Sequence, residues 1–180
     1  TYPGASANTA YVLDLNQATP AWRQIGGMVF PRSFLNLTNL PDGQVLVTGG
    51  GTMKEGLDPA NAVKEAEMWN PVAETFTTLA RMQNPRQYHS TALLLADGRV
   101  FVAGSGYNFG GAWQLNVEIY SPPYLFKGAR PTISTAPSEV QYGTNFSVTT
   151  PDSGSVTKVR LIRTGAVTHS FDHNGRALDF

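Results

Sequence analysis

Histidine occurs three times in the chain, as His89, His169 and His173, and His89 directly follows Tyr88. A neutral imidazole is a good copper ligand and a phenolate oxygen is a hard anionic one, so a Tyr-His pair suits Cu(II). Neighbouring residues of a strand point to opposite faces. Both side chains can reach one metal only if the backbone bends there, at a strand end or a bulge. Otherwise Tyr88-His89 reads as a hydrogen-bonded pair at a sheet edge. His169, within Arg163-Thr-Gly-Ala-Val-Thr-His-Ser170, reads by itself as a loop histidine, and His173, before Asn-Gly, as a solvent-exposed one. The sequence holds no zinc-type Cys/His spacing, no Gly-x-Ser-x-Gly elbow and no phosphate-binding glycine loop. Gly49 to Gly51 follow a strand pattern, but no Lys-Ser/Thr step or helix start comes after them.

The elements that must hold these residues show themselves as repeats. Leu40-Pro-Asp-Gly-Gln-Val-Leu-Val-Thr-Gly-Gly50 returns as Leu95-Ala-Asp-Gly-Arg-Val-Phe-Val-Ala-Gly-Ser105. Each copy is a tight Asp-Gly turn followed by a short β-branched strand that ends in small residues. Upstream, Phe30-Pro-Arg-Ser-Phe34 answers Asn84-Pro-Arg-Gln-Tyr88. Aligned on the Pro-Arg step, the apolar pair Phe34-Leu35 of the first copy stands where the second has Tyr88-His89. A further element, Tyr11-Val-Leu-Asp-Leu-Asn16 with Trp22, returns as Glu67-Met-Trp-Asn-Pro71 with Phe76, and a third time as Val117-Glu-Ile-Tyr-Ser-Pro122. Four-stranded units of about 50 residues with these marks are kelch blades of a β-propeller. About two blades are legible where a propeller needs at least four, so the barrel is not expected to close within this chain.

From Pro122 the pattern changes. Pro122 to Pro131 reads as a proline-rich linker, leaving 1–121 as blades and 132–180 as a second domain. Strand candidates there are Thr132 to Ser134, Phe146 to Thr149, Val156 to Arg163 and Ala166 to Ser170. Their spacing suggests an immunoglobulin-like sandwich, which needs about seven strands, so this one is expected to be truncated. The fold class is therefore all-β, with no helix of note; Ala60 to Met68 reads as a blade loop or a single turn.

Composition narrows the function. The 13 basic and 13 acidic residues cancel, which removes the electrostatic case for nucleic acid or an anionic membrane. Charged residues are only 14% of the chain beside 18 Gly and 12 Pro, a balance that suits a secreted, loop-rich β protein. Cysteine is absent, so no disulfide framework or thiolate site can form within these residues. No leader opens the chain and no apolar run approaches the roughly 20 residues that span a bilayer; with Thr1 first, a mature or cut product is expected. Asn36 and Asn145 head sequons that permit glycosylation.

The stretches from Phe30 to Gly43, from Arg86 to Phe101 and from Ile119 to Leu125 resemble the last blades of the galactose oxidase and glyoxal oxidase family of copper-radical oxidases. Arg130-Pro-Thr-Ile133, Tyr142-Gly143 and Leu161 to Ser170 resemble the immunoglobulin-like domain that follows in that family. The resemblance implies the end of a seven-bladed kelch propeller and the start of an early-set domain. It implies one copper ion held by Tyr88, His89 and His169, with Tyr88 as the axial tyrosinate that takes the substrate proton and the histidines as equatorial ligands. The remaining ligand would be a redox-active tyrosine in thioether linkage to a cysteine, from residues outside this chain. The parent would oxidise a primary alcohol or an aldehyde hydrate, including carbohydrate alcohols, with O2 and release hydrogen peroxide. Tyr2 and Leu57 fall where the family lines its substrate pocket, and Leu57 in place of an aromatic leans towards small aldehydes or simple alcohols. Leu35 stands where the family often has a histidine, outside the copper shell. The competing reading is a non-catalytic kelch and immunoglobulin-like module that binds carbohydrate or sits at a cell surface.

Overall fold

The computed structural model describes residues 4–55, 57–106 and 113–180. The chain is all-β, and its short antiparallel strands follow the repeats. Strands β1 (Ala10–Leu13) and β2 (Trp22–Ile25) form a two-stranded ladder. Strands β3 (Ser33–Asn39), β4 (Val45–Gly51), β5 (Glu65–Asn70) and β6 (Thr75–Arg81) form a four-stranded sheet in sequence order. Strands β7 (Ser90–Leu94), β8 (Val100–Gly104) and β9 (Val117–Tyr120) form a three-stranded sheet. The two Asp-Gly turns join β3 to β4 and β7 to β8, each closed by the same pair of backbone bonds about Leu40 and Leu95. The thrice-repeated aromatic element is β1, β5 and β9; Leu13 pairs with Trp22 across β1–β2, and Trp69 pairs with Phe76 across β5–β6.

The core lies between the two larger sheets. Leu40, Leu46, Ala66 and Met68 of one sheet meet Ala92, Val100 and Val102 of the other, all nearly or fully buried. Two buried arginines tie each sheet to its own approach segment. Arg32 bridges Glu67 at 2.5 Å and donates to the carbonyls of Gly49 and Glu65. Arg86 bridges Glu118 at 3.3 Å and donates to the carbonyls of Gly104 and Asn116. The repeated Pro-Arg step is thus a structural anchor, with its acidic partner on the third strand of each unit. Burial pulls both guanidinium groups below their usual pKa, and the paired glutamates oppose that shift.

The structure adds detail to one sequence expectation and corrects two others. The linker contains a single 3-10 turn, Pro123–Phe126, which packs Tyr124 against the core and lets its hydroxyl donate to the Gly98 carbonyl. Of the four strands expected after it, Thr132–Ser134 and Phe146–Thr149 form no ladder; they meet through the Ser134 amide on the Thr149 carbonyl and the bridge between Thr135 and Thr149. The other two shorten to β10 (Arg160–Arg163) and β11 (Val167–Thr168), while β12 (Phe171–Asp172) and β13 (Arg176–Asp179) were not foreseen. A strand exists only where a neighbour completes its hydrogen bonds, and periodicity alone does not name the neighbour. Asn36 is also unavailable for glycosylation in the folded chain, because it is buried and its Nδ2 donates to Ser90 Oγ. Asn145 is exposed.

Among the described residues, none beyond Pro122 is buried. No helix among them is long and apolar enough to cross a membrane.

Candidate functional site

Tyr88 and His89 lie on a turn just before β7, so the bend that two-sided ligation requires is present. The Ser90 amide donates to the Gln87 carbonyl at 2.9 Å, and His89 at the third turn position has φ 63°. The strand register also corrects the repeat alignment. Leu35 pairs with Gly49 as Ser90 pairs with Gly104, and Phe34 shares the left-handed backbone of His89 with φ 57°. His89 therefore takes the place of Phe34, and Tyr88 that of Ser33. Gln87 is one residue more than the first copy has between its arginine and its strand, and that extra residue makes the turn.

The end of β8 wraps this turn. The Gln87 amide donates to Ser105 Oγ at 2.8 Å, and the Gly106 amide donates to the Tyr88 carbonyl at 3.2 Å. His89 Nδ1 lies 3.3 Å from the Gly106 carbonyl, which can only accept, so Nδ1 carries the N–H that donates there. From the other sheet, Gly50 donates to the Arg86 carbonyl at 2.6 Å. Gly49, at φ 70°, passes so close to that carbonyl that a Cβ would overlap it. The glycine pair of the first repeat thus seats the Pro-Arg segment that leads into Tyr88-His89.

His169 arrives from the second half of the chain. Strands β11 and β12 make a minimal hairpin, with β11 packed on β7 and β12 on β3. Its two-residue turn is His169-Ser170, and both residues have positive φ, 51° and 68°, as a type I′ turn requires. Thr168 Oγ1 lies 2.8 Å from His169 Nδ1, which turns Nε2 away from the hairpin. The hairpin brings three rings together. Tyr88 stacks on His89 with centroids 3.9 Å apart, and the His169 ring stands 5.5 Å from Tyr88 and 5.3 Å from His89. Phe34 meets the Tyr88 ring edge-on at 4.9 Å.

A cleft of about 440 Å³ opens beside His169, lined in part by Phe34, Leu35, Lys54 and Phe171. Leu57 is half-buried in the β4–β5 connection, next to Asp58, whose carbonyl accepts from Gln87 Nε2 at 3.0 Å. It does not line that cleft. Tyr2 lies outside the described residues. His173 is exposed and apart from the three rings. Among the described residues, no three His, Cys, Asp or Glu side chains gather as they would for a metal. Sequence reasoning missed Arg86, Ser105 and Gly106, which hold the turn; the second Pro-Arg step and the small residues closing β8 were their signal.

Residues 4–124 match the family model "Glyoxal oxidase N-terminus", and residues 130–180 match "Galactose oxidase-like, Early set domain". The chain belongs to the glyoxal oxidase family. Among its relatives, the aldehyde oxidase GLOX of Vitis pseudoreticulata is 35% identical over 87% of this chain and 33% of its own length. A galactose oxidase of Gibberella zeae is 32% identical over 98% of this chain and 25% of its own length. A fungal alcohol oxidase solved in complex with copper superposes with a TM-score of 0.87 at 28% identity, covering 99% of this chain and 39% of that one. The chain thus spans a quarter to a third of the length of these two sequence relatives.

Proposed function

We propose that this chain supplies part of the metal centre of a secreted copper-radical oxidase, with Tyr88, His89 and His169 as three of the ligands to one copper ion. The observation that carries the reading is the convergence of these rings from two separately built parts of the chain. The donor chemistry fits: two imidazoles whose Nδ1 atoms are engaged elsewhere, and a phenol, offer nitrogen and anionic oxygen to Cu(II). We read residues 1–121 as kelch blades, 122–131 as a linker and 132–180 as the beginning of an early-set domain. The gap between the two family matches supports that division.

In this reading His89 and His169 would hold the ion through the ring nitrogens left open by their Nδ1 contacts. Tyr88, as a phenolate donor to the metal, would accept the hydroxyl proton of the bound alcohol or aldehyde hydrate and so act as the general base. Its stacking on His89 and its contact with Phe34 fix the ring for that transfer. Copper and a thioether-linked tyrosyl radical, expected from residues outside this chain, supply the two-electron oxidation and the reduction of O2 to hydrogen peroxide. The partners are the rest of the same protein, O2 and a small-molecule or carbohydrate substrate. The test is to load the full-length protein with copper, verify the metal content and assay peroxide with galactose, simple primary alcohols and small aldehydes. Peroxide from at least one substrate is expected. A copper-loaded protein that releases none from any of them sinks the reading.

A further inference from the structure

The turn that presents His169 is made of two residues poorly suited to it. Left-handed backbone at two successive non-glycine positions is disfavoured, and Asn-Gly or Asp-Gly is the usual choice for such a hairpin. The hairpin is only two residue pairs long, too short to enforce the turn by its own ladder. Something else must hold it.

One carboxylate does so from behind. Asp172 Oδ1 accepts three backbone amides: Ala166 at 3.2 Å on the chain entering the hairpin, and Asn174 at 3.1 Å and Gly175 at 2.8 Å on the chain leaving it. The His173 amide adds a backbone bond to the Ala166 carbonyl. Two glycines make room for the carboxylate. A Cβ on Gly165 would stand 2.7 Å from Asp172 Oδ2, and one on Gly175 would overlap the same oxygen. The carboxylate thus has close neighbours on both sides and is bonded to both legs of the hairpin. A charged acceptor of three N–H groups is a strong tie.

We propose that Asp172 is a positioning residue for the copper site: its carboxylate clamps the legs of the hairpin so that His169 is held in its left-handed turn, facing Tyr88 and His89, before metal arrives. The proposal rests on His169 being a ligand. Asp172 acts on the metal only through the backbone.

The test uses the full-length protein and reads copper affinity by competition with a chelator, together with the nitrogen couplings in the Cu(II) paramagnetic resonance spectrum. D172A is expected to raise the copper Kd by about 10- to 100-fold, the usual range for loss of an outer support, and to weaken one set of nitrogen couplings. D172N keeps an acceptor oxygen at the same place without the charge and is expected to lose clearly less affinity than D172A. Adding S170G to D172A is expected to recover part of the affinity, because glycine adopts the left-handed turn without a clamp. G175A leaves the aspartate in place but pushes it away, and is expected to weaken binding as D172A does, so the test stands even where D172A does not fold. Unchanged affinity in G175A or in folded D172A, or equal losses in D172A and D172N, would overturn the clamp. If the unaltered protein binds no copper, the functional reading itself falls, a result distinct from any of these.

Discussion

Replacing Gly49 by alanine tests how the first repeat seats the site of the second. Gly49 has φ 70°, and an added Cβ would overlap the Arg86 carbonyl oxygen, the same oxygen that accepts the Gly50 amide at 2.6 Å. The left-handed backbone alone costs an alanine about 1–2 kcal/mol. Loss of the Gly50 bond adds about 0.5–1.5 kcal/mol. The sum, about 1.5–3.5 kcal/mol, should appear as a lower denaturant midpoint at an unchanged slope. Gly98 supplies the control, since it also has positive φ, 88°, but a Cβ there meets only ordinary contacts at 3.4 Å. G98A should therefore show the backbone penalty alone. The site should separate the two variants further. The overlap at Gly49 must push the Arg86 carbonyl back by about 1 Å, two residues before Tyr88, and a misplacement of that size costs on the order of 10²-fold in turnover. Peroxide release and copper affinity of the full-length protein are the readouts. If G49A matches G98A in midpoint, copper affinity and turnover, the glycine pair does not seat the ligand turn and the reasoning fails.

Three further outcomes are expected. E67Q removes the charge opposite the fully buried Arg32 while keeping an oxygen for the Val29 amide, and should destabilise by about 3–5 kcal/mol in denaturant unfolding; E74Q, at the exposed Arg23 pair, should leave the midpoint nearly unmoved. Hydrogen bonding from Arg160, with help from Lys158, lowers the Asp179 carboxyl from 3.8 to about 2. Its folded pKa lies below the unfolded one, so its contribution is present above pH 3.8 and is lost as the pH falls towards 2; amide exchange across β10–β13 should rise over that window in the unaltered protein, and D179N should flatten the dependence. Y88F should lower turnover by on the order of 10²–10⁴-fold through loss of the base, and a Y88F protein with unaltered turnover would take Tyr88 out of proton transfer.

Much of the first half was legible because its signals are local. The Asp-Gly turns, the β-branched strands after them and the aromatic element are short-range chemistry, and they appeared as β3–β4, β7–β8 and the strands β1, β5 and β9. The resemblance to a family named Tyr88, His89 and His169 together, and the Tyr-His pair was visible as a departure from the repeat's apolar template. The register of that departure was not. It took the pairing of Ser90 with Gly104 to show that His89 replaces Phe34 and that Gln87 is the extra residue.

Tyr88 and His89 announce themselves by residue type and by a repeat that can be read along the chain. That they share a turn, and that His169 stands 5.3 Å from His89, are decisions of the tertiary structure. The approach depends on contacts distant in sequence: Gly49 against Arg86, Ser105 and Gly106 around the turn, and a hairpin laid across β3 and β7. Periodicity reports which residues want burial or a turn. It does not report which backbone comes close enough to another to bring three rings to one point.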